Sequence, residues 1–421
     1  MSAAEPFHLF QAFGVELEYM IVDAKSLDVR PITDRVLQAV AGEITSDFVD
    51  GEITWSNELT AHVIEVKTTD PARSFDSLPQ AFHQSVKRIN SVLEPFGARL
   101  MPSAMHPWMD PHREMVLWPH ENSSIYEAFN RIFDCRGHGW ANLQAVHLNL
   151  PFSGDAEFAR LHAAVRVLLP LLPALAASSP FMDGKAAGLL DARLSVYQQN
   201  CRRIPAATGR VVPEPVFSSA EYHRLILEPL YADVAPFDAE GVLQDEWLNS
   251  RGAIARFGRG TIEIRVLDVQ ECPQADVAIC ALIADVLEAL TAGKWEDPAQ
   301  LETWQTETLY GSLQNTIRNA DRAIVNDADY RRLFGFPGHQ AVTAGEIWRH
   351  LASAIDPHGR SRHSKIRPAL ETLLERGPLA RRILTSVGPD PSRERLATVY
   401  RELCDCLAAG RMFLGKDAVG T

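Results

Sequence analysis

Gly14-Val15-Glu16-Leu17-Glu18-Tyr19 is the stretch on which the reading of this chain turns. On an extended strand, side chains two apart share a face, so Glu16 and Glu18 project together while Val15, Leu17 and Tyr19 occupy the opposite side. The alternation runs over residues 13–22 and recurs over residues 63–68, which predicts two half-buried strands. Between Pro71 and Phe96, the residues Phe75, Leu78, Phe82, Val86, Ile89 and Leu93 return every three or four positions. That spacing marks one face of a helix, which is expected to cover the sheet. Further strands are expected at residues 145–150 and 261–266, the second entered through the turn Gly258-Arg259-Gly260. A helix is expected over residues 156–177, broken or ended by Pro170 and Pro173. Residues 209–219, with Pro213 and Pro215, read as a loop. From Gln274 onward the pattern is mainly helical and closes with an amphipathic helix over residues 392–412. Strands and helices mix without regular βαβ alternation, so the expected class is α+β. The architecture is an antiparallel-dominated sheet flanked by helices, with residues 1–295 as the domain that carries the sheet and its polar face and 296–421 as a helical C-terminal portion packed on it.

Composition narrows the function classes. The 421 residues are 46% hydrophobic and 23% charged, the mixture of an ordinary globular chain. A net charge of −13 argues against a broad nucleic-acid surface while leaving room for an anion site in an Arg-lined cleft. The most apolar run, residues 165–177, is shorter than a bilayer span and contains Arg166, Pro170 and Pro173, so it reads as a buried helix and no membrane partner is expected. No secretory pattern is visible at residues 1–7, and a cytoplasmic location is expected by default. Cys135, Cys201, Cys272, Cys280, Cys404 and Cys406 show no CxxC framework, which fits reduced thiols better than disulfides or zinc.

The polar faces carry the chemistry. Glu16 and Glu18 alone read first as a solvent-facing strand edge rather than as a site. The pattern recurs, however: His147 and Asn149 share one face of their strand, and Glu263 and Arg265 share one face of theirs. Glu58 and Glu65 are separated by seven positions, which on one flat strand would put them on opposite sides. Either a bulge intervenes or Glu58 enters from the preceding loop. If the polar faces align in one sheet, several carboxylates meet, and each like-charged pair at 4 Å costs roughly 4 kcal/mol in an effective dielectric of about 20. Something positive must sit there. An oxygen-rich set with one imidazole favours Mg²⁺ or Mn²⁺ over zinc, and Mg²⁺ in such sites bridges carboxylates to substrate phosphates, which points to a nucleoside triphosphate. Arg265 would then neutralise a transferring phosphoryl group or a developing oxyanion; seen alone, it reads equally as a cross-strand ion pair. There is no GxxxxGK[ST], no GxGxxG after a strand and no GxSxG elbow, so nucleotide binding must use another fold.

These residues resemble the type 2 glutamate–cysteine ligases, also called carboxylate–amine ligases. The similarity runs in order through Gly14-Val15-Glu16-Leu17-Glu18-Tyr19, Glu58 to Glu65-Val66-Lys67-Thr68, Val146-His147-Leu148-Asn149, Ser178-Ser179-Pro180-Phe181-Met182-Asp183-Gly184 with Arg193 downstream, and Thr261-Ile262-Glu263-Ile264-Arg265-Val266-Leu267-Asp268. The resemblance implies a sheet related to that of glutamine synthetase, forming a funnel in which two or three Mg²⁺ ions hold ATP. It implies Glu16, Glu18, Glu58, Glu65, His147 and Glu263 as metal or metal-adjacent ligands and Arg265 as a nucleotide contact, with Glu263 and Arg265 serving catalysis. Arg193 is the implied contact for the amino-acid substrate's carboxylate; Ser178 and Ser179, grouped with it as substrate-binding residues, read first as shaping the pocket or capping a helix, and homodimerisation is a family-level expectation. The segment Lys185-Ala186-Ala187-Gly188-Leu189-Leu190 departs from relatives that carry Asp and Thr before the Gly, so the amino-acid substrate does not transfer with the motif.

The expected reaction is ATP-dependent activation of a carboxylate, by analogy the γ-carboxylate of glutamate, to an acyl phosphate, followed by attack of an amino acid's amine. The same chemistry on another amino acid or a peptide is the nearest rival. A metal-dependent hydrolase, which would act without ATP, and an inactive nucleotide-binding accessory protein are the others.

Overall fold

The alternation around Glu16 forms a strand, Gly14–Asp23 (β1), and this strand lies inside the main sheet rather than at its edge. The computed structural model describes residues 6–336, 338, 340–356 and 365–415. The other strands of the sheet are Asp47–Asp50 (β2), Ile53–Asn57 (β3), Val63–Thr68 (β4), Ala98–Met101 (β5), Ala145–Pro151 (β6), Ala253–Arg256 (β9) and Thr261–Asp268 (β10); Phe181–Met182 (β7) and Lys185–Ala186 (β8) pair separately. The order across the main sheet is β2-β3-β4-β1-β6-β10-β9, with β5 also paired to β1, and all its pairings are antiparallel. The sheet is thus α+β in context and antiparallel, as expected from the mixed pattern.

Register places the polar residues. Glu16 lies opposite Lys67 on one side and His147 on the other, Glu18 lies opposite Glu65, and Glu263 lies opposite Asn149. A register shift between Ile264 and Leu267 breaks the β10–β6 ladder, and the Arg265 amide donates instead to the Gly252 carbonyl at 2.9 Å. Gly14 faces Asn149 so closely that a Cβ would come within 2.9 Å of the Asn149 Cβ, which is why this position takes glycine.

The opposite face is apolar. Val15, Leu17 and Tyr19 are fully buried in the main core, which includes every residue of the expected helix stripe from Phe75 to Leu93. That helix forms over Leu78–Leu93. Each of its large buried side chains contributes about 1.5–3 kcal/mol. It packs on the helix Pro273–Thr291, which in turn contacts the helix Gly154–Leu168 and β1. The helix expected to reach residue 177 stops at Leu168 and continues as the 3₁₀ turn Leu169–Leu171 and the short helix Pro173–Ala176, because Pro170 and Pro173 offer no N–H to the ladder. Arg166 is buried in this apolar run and donates to the Pro213 and Trp304 carbonyls at 2.8 and 2.9 Å.

The C-terminal helices share the same core: Leu309, Trp348 and Leu373 cluster with the sheet residues, and the Trp348 indole donates to the Leu171 carbonyl at 2.8 Å. The last helix, Arg393–Ala409, packs on β5. Its Tyr400 and Leu403 join Met20, Val22 and Met101. All six cysteines are buried and free. No helix among the described residues is long and apolar enough to cross a membrane.

Candidate active site

The polar face of the sheet floors a cavity of about 1090 Å³, above the roughly 300–1,000 Å³ typical of a single-ligand site. Glu16 and Glu18 come from β1, Glu65 and Lys67 from β4, His147 and Asn149 from β6, and Glu263 and Arg265 from β10; all line it. Glu58 lines it too, entering from the loop just after β3, which resolves the odd spacing to Glu65 in favour of a loop position.

The imidazole of His147 sits among three carboxylates. Its Nδ1 is 3.2 Å from Glu16 Oε2 and 3.9 Å from Glu263 Oε1, and its Nε2 is 3.8 Å from Glu18 Oε1. Asn149 Nδ2 donates to Glu16 Oε1 at 2.9 Å, and the Ala145 amide donates to Glu18 Oε2 at 2.7 Å. Glu65 is held by Lys67 Nζ at 2.9 Å and by the Ser56 hydroxyl at 2.8 Å. Glu263 lies between two arginines, with Arg265 Nε at 3.0 Å and Arg256 Nη1 at 3.3 Å.

The charges leave a deficit of cations. Burial pushes the Glu65 carboxyl up and the charge of Glu16 adds to it, so that even with Lys67 beside it the group rises from 4.5 to about 7. Glu58 is raised well above the ordinary range by burial and then by Glu18 and Glu65. Glu16 shows the opposite outcome: burial would raise it, but the hydrogen bond and charge of His147, with Lys67, hold it at about 2. His147 resists its own burial because Glu16 and Glu18 retain its proton.

Donor atoms of Glu16, Glu65 and His147 lie within 4.8 Å of one another, and so do those of Glu18, Glu58 and Glu65. Glu65 is common to both groups. Carboxylate oxygens with a single imidazole fit Mg²⁺ or Mn²⁺, and two carboxyls forced toward protonation are groups that a divalent cation would relieve.

The structure separates the expected substrate residues from the cavity floor. Ser178 and Ser179 are fully buried and do not line the cavity. Ser178 Oγ donates to the Val269 carbonyl and Ser179 Oγ to Asp268 Oδ2, both at 2.8 Å, so burial inside the protein has absorbed both hydroxyls. Their place is behind Arg193, whose backbone amide donates to Ser179 Oγ at 3.1 Å. Arg193 does line the cavity, yet its guanidinium reaches Asp268 Oδ1 at 3.4 Å and donates to the Arg265 carbonyl at 2.8 Å. It thereby braces the strand that carries Arg265. Sequence reasoning missed Lys67 and Arg256 as site cations. Lys67 was within reach, since it lies two residues after Glu65 and so on the same face; Arg256 sits on a four-residue strand without a usable pattern.

The fold matches the 2.0 Å crystal structure of glutamate–cysteine ligase from Francisella tularensis in complex with AMP, with a TM-score of 0.60 over 95% of this chain and 90% of that one, at 12% identity. Residues 12–402 match the model of glutamate–cysteine ligase family 2. The fold is therefore of the glutamine-synthetase-like kind, and the protein class is an ATP-dependent carboxylate–amine ligase. An uncharacterised Archaeoglobus fulgidus protein is 31% identical over 401 residues, covering 95% of this chain and all of that protein. A Bradyrhizobium protein carrying the name "Putative glutamate--cysteine ligase 2" is 26% identical over 366 residues, covering 83% of this chain and 76% of its own. The chain belongs to the glutamate–cysteine ligase family 2.

Proposed function

We propose that this protein phosphorylates the γ-carboxylate of glutamate with ATP and passes the resulting acyl group to the amine of a second substrate. The observation that carries the reading is the convergence of carboxylates from β1, β4 and the loop after β3, with His147 of β6, into two donor groups sharing Glu65 on one wide cavity. Glu16, Glu65, His147 and the neighbouring Glu263 would hold one divalent cation, and Glu18, Glu58 and Glu65 another. Mg²⁺ or Mn²⁺ there supplies charge neutralisation for the triphosphate and polarisation of the γ-phosphoryl group.

The chain's own residues do the rest. A substrate carboxylate oxygen attacks the γ-phosphorus and ADP leaves; the amine nitrogen then attacks the acyl carbon, phosphate leaves, and the amine gives up a proton. Arg265, fixed by Glu263 and by a carbonyl brace from Arg193, is placed to meet the negative charge that grows on the phosphoryl oxygens. Arg256 keeps Glu263 from swinging away. Asn149 and His147 fix both oxygens of Glu16. No protein nucleophile enters the scheme.

The test is phosphate release from Mg–ATP with glutamate and a panel of amines, with Glu16→Gln and Arg265→Ala as controls. Release that requires both organic substrates and fails in both variants supports the reading. Turnover that ignores glutamate and every amine, and survives both substitutions, overturns it.

A further inference from the structure

The cavity has two unlike ends, and strand register tells them apart. Gly14, Asn149 and Thr261 mark one end, where Phe13, Thr69, Phe152 and Arg259 line the wall. Glu18, Glu65 and Ala145 mark the other. Rings from separate parts of the chain also line the cavity: Tyr126, Phe129, Trp140, Tyr197 and Trp247, the last beside Glu246, whose carboxylate is 3.8 Å from Arg256. Phe129 lies 5.2 Å from Trp140 and 5.6 Å from Trp247, centroid to centroid. Asn57, next to Glu58, donates to the Tyr126 hydroxyl at 3.1 Å, tying the wall to the acidic floor.

Two buried polar atoms in this wall, Tyr197 Oη and Asn200 Oδ1, have no hydrogen-bond partner among the described residues. Gly139 packs over the second so tightly that a Cβ would fall 1.8 Å from Asn200 Oδ1. Both atoms are enclosed, so they mark unsatisfied polarity behind the ring surface, which is costly to fold.

We infer that the amine substrate carries an aromatic or comparably large apolar group, seated against Trp140 and Trp247. The inference rests on the ligase reading above and adds the chemical class of its second substrate. Ring faces attract an ammonium group and stack with a flat side chain, whereas a dicarboxylate such as glutamate needs cations. Arg193, 6.0 Å from the centre of the Tyr197 ring, is already engaged by Asp268 and the Arg265 carbonyl. A thiol side chain would leave most of the ring surface wet.

The experiment compares phenethylamine, L-phenylalanine and L-cysteine as acceptors for the full-length enzyme with Mg–ATP and glutamate, reading phosphate release and the mass of the amide product. An aromatic acceptor should exceed cysteine in kcat/KM, and Trp247→Ala should raise its KM about tenfold while leaving the KM for ATP unchanged. A Trp247→Phe variant, which keeps a flat ring, should restore the KM and controls for misfolding of the alanine form. Preference for cysteine, or a rise in the KM for ATP instead, overturns the inference while the ligase reading stands. If no amine supports turnover, calorimetric titration with phenethylamine separates the two. Saturable binding that Trp247→Ala weakens sustains the aromatic subsite and leaves only the ligase reading in default; absence of binding overturns the subsite.

Discussion

Replacing Glu65 by Gln should stabilise the metal-free protein and at the same time abolish its response to divalent cations. Glu65 is only 5% exposed, faces Glu18 across the β1–β4 pair, and belongs to both donor groups. Burial and then the charge of Glu16 lift its carboxyl from 4.5 to about 7, with Lys67 offsetting part of the rise. A folded-state value above the unfolded one means that its contribution to stability is fully present below pH 4.5 and is lost as pH rises through about 7. The gap corresponds to on the order of 3 kcal/mol of stability withheld at neutral and alkaline pH. Gln keeps the shape and cannot ionise, so the variant escapes that loss. Urea unfolding in the presence of a chelator, near about pH 5 and about pH 8, should show the advantage of the variant growing with pH. Adding Mg²⁺ at about a hundred times its dissociation constant should stabilise the wild type by roughly 2.7 kcal/mol and the variant by far less. A variant that is weaker than wild type at alkaline pH without metal, or that responds equally to Mg²⁺, would refute the reasoning.

Three further outcomes follow from the same geometry. Arg265→Ala should lower kcat by about 10²–10³-fold with a smaller change in the KM for ATP, measured by steady-state phosphate release. His162 is buried against Phe158, 5.1 Å away and stacked, and burial with the nearby charge of Arg166 lowers it from 6.5 to about 3. Its contribution is intact above pH 6.5 and is lost as pH falls, so His162→Phe should gain on wild type by about 1.4 kcal/mol per pH unit in acid, read from urea midpoints. Gly14→Ala should push Asn149 off Glu16 at a cost of about 1–3 kcal/mol in stability, and raise the Mg²⁺ concentration needed for half-maximal activity.

Much of the sheet could be read from residues alone, because period-two alternation is a local signal. Glu16 with Glu18, His147 with Asn149, and Glu263 with Arg265 each share a face for that reason, and all of them line the cavity. The ambiguity at Glu58 was real: no local pattern separates a bulge from a loop, and only the length of β3 settles it. Ser178 and Ser179 are enclosed, in line with the structural reading that the residues themselves favoured. Their hydroxyls are consumed by Val269 and Asp268, 91 and 89 residues away, contacts that sequence spacing does not encode. The aromatic wall was invisible for the same cause, since Tyr126, Trp140, Tyr197 and Trp247 meet only through tertiary packing. The helix over residues 156–177 shortened where its prolines said it would, whereas the small strand pair Ile324–Val325 and Val342–Thr343 within the helical portion left no alternation long enough to recognise.

Equilibrium titration of the purified chain with Mn²⁺ in the presence of a non-hydrolysable ATP analogue, followed by electron paramagnetic resonance, tests the central claim most directly. Two tightly held ions per chain, both lost or weakened in Glu65→Gln and one in Glu16→Gln, are what the shared-carboxylate geometry predicts. Nucleotide binding with no protein-bound Mn²⁺, or ion binding that ignores both substitutions, would contradict it.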